Sequence, residues 1–78
     1  MIALIGILVR NEEAAERVNE LLHDYRDAVC GRLGLPLRDK GLNVISVVLD
    51  TDAGRVNALT GKLGRLPDVK AKALYGNE

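Results

Sequence analysis

Apolar residues along this chain recur in stretches whose period switches between that of a strand and that of a helix. Ile2 to Val9 is apolar on both alternating faces, Ile2/Leu4/Leu8 and Ile5/Ile7/Val9, which predicts a central strand. Asn11 offers an N-cap, and Glu12 and Glu13 lie in the first turn, where the helix dipole favours acids. Ala14, Val18, Leu21, Leu22 and Tyr25 then recur at helical spacing, predicting a helix over 12–26. Ala28 to Leu35 sets Val29, Leu33 and Leu35 against Cys30, Arg32 and Gly34, too glycine-rich for a helix and readable as an edge strand. Pro36 to Gly41, with Arg38, Asp39 and Lys40 between turn-formers, predicts a solvated hairpin loop. Leu42 to Leu49 is again apolar on both faces and rich in β-branched residues, a second central strand. Thr51 and Asp52 can cap a second helix with the stripe Val56, Leu59, Leu63 and Leu66, ended by Gly64 and Pro67. Val69, Ala71, Ala73 and Tyr75 alternate with Lys70 and Lys72, lysines of the kind that guard an exposed edge, and residues 76–78 are expected to fray.

The order is β-α-β-β-α-β. It predicts an α+β ferredoxin-like sandwich spanning 1–78 as one domain: a four-stranded antiparallel sheet in spatial order 4-1-3-2, with two helices on one face. That order puts the two doubly apolar strands at the centre and the charged or glycine-bearing strands at the edges, so local pattern and topology agree. Two helices cover only one face of such a sheet. The other face would present a larger apolar patch than soluble monomers usually carry, which predicts a homo-oligomer, a dimer or tetramer, joined through it.

The chain has 78 residues, and domains this small bury only about 60% of their unfolded surface and often rely on association. A single cysteine, Cys30, excludes an intrachain disulfide and makes a reducing, cytoplasmic setting the expectation. Eleven basic and eleven acidic residues cancel, so neither direct DNA binding nor attraction to an anionic membrane is expected. The apolar start lacks the flanks of a signal peptide, and no apolar run approaches membrane-span length.

Chemistry-bearing residues are few. His23 falls on the polar side of the first helix, beside Asn19 and Asp27, as a surface residue or half of a site completed by another subunit. Cys30 reads as a small buried hydrophobe. Arg10, beside Asn11 at the end of the first strand, and Arg32 in the second could hold a carboxylate or phosphate. Arg10, Asn11, His23 and Arg32 are thus the candidate ligand-binding residues. Gly31 to Gly34 lacks the spacing of a nucleotide loop, and Gly61 to Gly64 lies at a helix end whose dipole repels anions. No Ser/His/Asp arrangement or apolar carboxylate pair is evident, so no catalytic residue, metal or cofactor is expected and the chain does not read as an enzyme.

The segments Val18-Asn19-Glu20-Leu21-Leu22-His23-Asp24-Tyr25, Gly31-Arg32-Leu33-Gly34-Leu35-Pro36 and Ala58-Leu59-Thr60-Gly61-Lys62-Leu63-Gly64-Arg65-Leu66, with the ending Val69-Lys70-Ala71-Lys72, resemble the regulators of iron-only hydrogenase systems. That resemblance implies a ferredoxin-like domain similar to ACT domains and to the ligand-binding half of the nickel-responsive repressors. Those repressors hold nickel through several histidines and a cysteine shared between subunits, whereas this chain has one of each. The expected function is an oligomeric effector-binding regulator with its ligand near Arg32, His23 or the end of the first strand. The alternative is a structural module that scaffolds a protein partner and takes no small molecule.

Overall fold

The computed structural model describes residues 1–76. Its elements are β1 (Ile2–Val9), α1 (Glu12–Asp24), β2 (Val29–Leu37), a short 3-10 turn (Arg38–Lys40), β3 (Leu42–Asp50), α2 (Ala53–Gly64) and β4 (Val69–Tyr75). The strands form one antiparallel sheet in the order β2-β3-β1-β4, the anticipated 4-1-3-2 arrangement read from its other edge. The expectation for residues 77 and 78 lies outside the described residues.

Alternation in the central strands sends Ala3, Ile5, Ile7 and Val9 from β1, with Ile45, Val47 and Leu49 from β3, onto the helix side. There they meet Ala14, Val18 and Leu22 of α1 and Val56, Leu59 and Leu63 of α2 in a single buried cluster. Each of these large aliphatic side chains contributes about 1.5–3 kcal/mol of gross burial energy, and no buried side-chain polar atom of the described residues lacks a partner. The opposite face has no helix on it. Ile2, Leu4 and Leu8 of β1, Leu33 and Leu35 of β2, and Leu74 of β4 remain exposed there.

Both helices begin where the sequence supplies a cap: Asn11 Oδ1 accepts from Ala14 N at 2.7 Å and Asp52 Oδ1 from Arg55 N at 2.8 Å. The first helix ends at Asp24, two residues short of the expected Arg26. Tyr25 leaves helical geometry (φ −107°, ψ 16°) while keeping its ring in the core. Asp68, with φ 62°, takes the left-handed turn before β4, a conformation aspartate tolerates better than most residues. Its carbonyl accepts from Arg10 N at 2.9 Å and its carboxylate from Asn11 Nδ2 at 2.6 Å, which ties that turn to the β1–α1 junction.

Two further expectations are corrected. The second strand runs through Pro36 to Leu37 and the loop shrinks to the turn at Arg38–Lys40, because a proline at a sheet edge removes no ladder bond when its nitrogen faces solvent. Gly76 does not fray: its N–H donates to the Ile2 carbonyl at 2.8 Å, and a Cβ there would stand 3.0 Å from that oxygen.

The α1–β2 connection is fastened to α2 by Asp27, whose carboxylate accepts from both terminal nitrogens of Arg55 at 2.7 and 3.0 Å. Arg55 also lies over the Tyr25 ring, 5.2 Å from its centroid. The hydrogen bonds from Arg55, aided by its charge, hold the Asp27 carboxyl below its ordinary value of 3.8. The folded state therefore binds this proton more weakly than the unfolded chain. The pair's contribution is complete above that value and is lost as the pH falls through the lower folded one. Thermal melts of wild type and Asp27→Asn should differ modestly at neutral pH and converge in acid, and a gap that persisted would show that the ion pair adds no stability.

Candidate functional site

Because β2 is an edge strand, the residues on its helix side project past the rim of the core instead of into it. Arg32 is one of them. Its guanidinium reaches back over the sheet, and Nη2 donates to Asn19 Oδ1 of α1 at 2.8 Å. Asn19, His23 and Arg26 recur at a spacing of three to four residues, so they share the side of α1 that overlooks β2. Arg26 lies just past the helix end and donates from Nη1 to the His23 carbonyl at 3.0 Å, an oxygen that also accepts from Arg26 N at 3.1 Å.

Between α1 and β2 these side chains border a groove of about 320 Å³ whose lining is completed by Leu22, Val29 and Val47. Three nitrogen-rich groups, Arg26, Arg32 and His23, face an aliphatic floor, and no carboxylate lines it. Its volume lies at the small end of metabolite pockets. Across Arg32 a second groove of about 280 Å³ continues toward Leu35, Pro36 and Asn43, so the arginine divides one trough along the inner side of the edge strand.

The candidates read from sequence do not converge on one point. His23 and Arg32 come together in this groove. Arg10 and Asn11 border another depression of about 470 Å³ between the end of β1 and the β2–β3 turn. Asn11 is already committed on both sides of its amide, as helix cap and as partner of Asp68. Asp27, expected beside His23, turns instead to Arg55. Asn19, placed beside His23 but not counted as a candidate, and Arg26 are the site residues that the sequence did not single out; their spacing of four and three from His23 was the available signal. Cys30, expected to be buried, is exposed, because a register irregularity between Val29 and Gly31 leaves it without a partner on β3. Among the described residues no three His, Cys, Asp or Glu side chains converge in a way that could hold a metal ion.

This arrangement of strands and helices has recognisable relatives. Residues 1–73 match the model of the TM1266-like family, described as "Iron-only hydrogenase system regulator, putative". The chain belongs to this family. It is similar to the uncharacterized protein TM1266 of Thermotoga maritima, with 36% identity, coverage of 94% of this chain and 92% of that one, and a TM-score of 0.90. Two more distant structures share the fold alone. A formyltetrahydrofolate deformylase from Pseudomonas putida matches at 14% identity and a TM-score of 0.70 over all of this chain and 30% of that one. CutA from Xylella fastidiosa matches at 20% identity and a TM-score of 0.53, over 99% of this chain and 85% of that one. Curated proteins gave no match.

Proposed function

We propose that this chain is a non-catalytic sensory module of an iron-only hydrogenase regulatory system, and that it takes a small anionic effector in the groove between α1 and β2. The observation that carries this reading is the convergence of Arg26, Arg32 and His23 on an aliphatic floor with no carboxylate among the lining residues. Such a site suits a molecule with one carboxylate or phosphate and a short apolar body. Arg32 would receive the anion on the face of its guanidinium not spent on Asn19, and charge-assisted bonds of this kind are about twice as strong as neutral ones. Family membership supplies the hydrogenase context.

In this reading the module works in the cytoplasm as a homo-oligomer and acts through protein contacts without touching DNA, in keeping with its balanced charge. Self-association is supported by the uncovered face of the sheet. There Gly31, Val48, Leu4 and Leu74 form one row across the four strands and Leu35, Val44 and Leu8 most of another, which Lys70 ends at the rim. Four strands at a spacing of about 4.8 Å and eight residues at about 3.3 Å give a footprint of roughly 500 Å² per copy. Two copies face to face approach the lower bound of specific interfaces.

The effector reading is tested by titration calorimetry of the protein against a panel of small carboxylates and phosphate esters. At least one should bind, and Arg32→Ala should weaken it about 100-fold, as losing a charge-assisted pair does, while Leu74→Ala leaves it unchanged. A panel with no binder, or a binder indifferent to Arg32→Ala, would overturn it.

A further inference from the structure

The trough along the inner side of β2 has two chemically different halves. Its nitrogen-rich groups, His23, Arg26 and Arg32, lie at or before the arginine that divides it. Beyond Arg32 the lining is aliphatic, with Ala15, Gly34, Leu35, Pro36 and Ile45 among its members. The amides of Asn19 and Asn43 are the other polar side chains there, and no charge borders that half except Arg32 itself.

Gly34 keeps the second half open. Arg32, Gly34 and Pro36 pair with Val47, Ile45 and Asn43 of β3, and paired residues share a face of the sheet. Ile45 and Val47 are buried on the helix side, so the three β2 residues lie on that side too. Of the three, Gly34 alone has no side chain, and a Cβ built on it meets nothing within 4 Å. A larger residue would stand in the trough between Ile45 and Ala15 of α1.

The divide itself is held by one hydrogen bond. Arg32 Nη2 donates to Asn19 Oδ1 at 2.8 Å, and both groups are exposed, where water competes for each partner. A carboxylate is a stronger acceptor than an amide oxygen, so a ligand that brings one draws the guanidinium away from Asn19 and opens the passage beside it. From Arg32 to Pro36 the strand advances about 13 Å, which an extended chain with C–C bonds of about 1.5 Å covers in about eight to ten carbons.

We infer that the trough takes a straight medium-chain carboxylate. Its head group is held by Arg32, with His23 and Arg26 behind it, and its hydrocarbon chain lies over Gly34, between Ala15 and Ile45, as far as Pro36. A single anionic group suffices, because the far half has no cation for a second one. This assignment rests on the reading of the groove as an effector site and adds to it the class of molecule and the direction in which it lies.

The test is calorimetry of the whole chain against the straight carboxylates from propionate to dodecanoate. Burying a methylene completely strengthens binding about fourfold, and covering half of it in an open trough about twofold. Octanoate should therefore bind about 30-fold more tightly than propionate, and the gain should stop near the tenth carbon, where the chain passes Pro36. Gly34→Val and Ala15→Leu narrow the second half from opposite walls and suit a strand and a helix respectively. Each should cut the advantage of octanoate over propionate to a few-fold, while Arg32→Ala weakens every member of the series. Circular dichroism identifies the folded variants, and either narrowing variant decides if the other fails to fold. Affinity that ignores chain length, or a gain that survives the narrowing, overturns the inference; the groove reading stands in those cases if binding still depends on Arg32. Absence of any Arg32-dependent binding along the series overturns both.

Discussion

Leu59→Ala should lose most of the stability of the fold, by about 3 kcal/mol and within the range of about 2–5 kcal/mol seen for truncated core leucines. Leu59 is fully buried, in the middle of α2, in the cluster that includes Leu63, Val56, Ile5 and Ile7. The helix cannot move in to fill the gap. Its start is fixed by the Asp52 cap and by Arg55 clamped on Asp27, and Lys62 near its other end donates to the Tyr25 hydroxyl at 3.1 Å. A chain of this size has a total stability on the order of 5 kcal/mol, so a cavity of one leucine removes more than half of it. Leu74→Ala deletes the same atoms from a residue that is 69% exposed, and should cost under about 0.5 kcal/mol. Urea unfolding at a fixed protein concentration makes the comparison, because any association also stabilises the folded state. Similar midpoints for the two variants would mean that α2 relaxes onto the sheet far more freely than its clamps allow.

The difference between these leucines is visible in the sequence only because the strands and helices around them declare their periods. Ile2 to Val9 and Leu42 to Leu49 are apolar at odd and even positions alike, and only central strands with something to bury on both sides read that way. From there the sheet order and the core stripes of both helices follow. Two of the errors come from the edge strand. Pro36 reads as a breaker unless its nitrogen is known to face solvent, and Cys30 reads as buried unless the irregularity beside it is known. Tyr25 continues the apolar period of α1 after the backbone has left the helix, because a long side chain can stay in the core from the residue beyond the last turn.

The candidate groove was legible residue by residue but not as a place. His23 and Arg32 stood out as polar groups with no local duty, and nothing local relates a helix residue to a strand residue nine positions later. That relation exists only once β2 is laid along the rim of the sheet beneath α1. Asn11 shows the opposite case. Its capping role was readable from Glu12 and Glu13 behind it, and a side chain already bonded at both ends, to Ala14 N and to Asp68, is held in place by the fold and keeps only one N–H and one lone pair free.

Leu4→Glu should break association through the uncovered face, with Leu8→Glu as its graded counterpart. Leu4 lies mid-sheet on β1, between Val48 of β3 and Leu74 of β4, and with 37% of its surface exposed a glutamate there reaches water in the free chain. Burying that carboxylate against a second apolar sheet, with no cation directly beside it, costs several kcal/mol, more than a footprint near the lower size limit can offset. Leu8 differs by one feature of register: its neighbour on β4 is Lys70. A glutamate at that position meets an ammonium across the strands, a pairing worth roughly 0.2–1 kcal/mol, and loses less when covered. Light scattering after size exclusion should therefore find Leu4→Glu at half the wild-type mass and Leu8→Glu dissociating only on dilution. Circular dichroism should show both still folded. A wild-type mass for Leu4→Glu would mean that the apolar face stays open to solvent in the assembled protein, and that its leucines serve some surface other than a second copy of this chain.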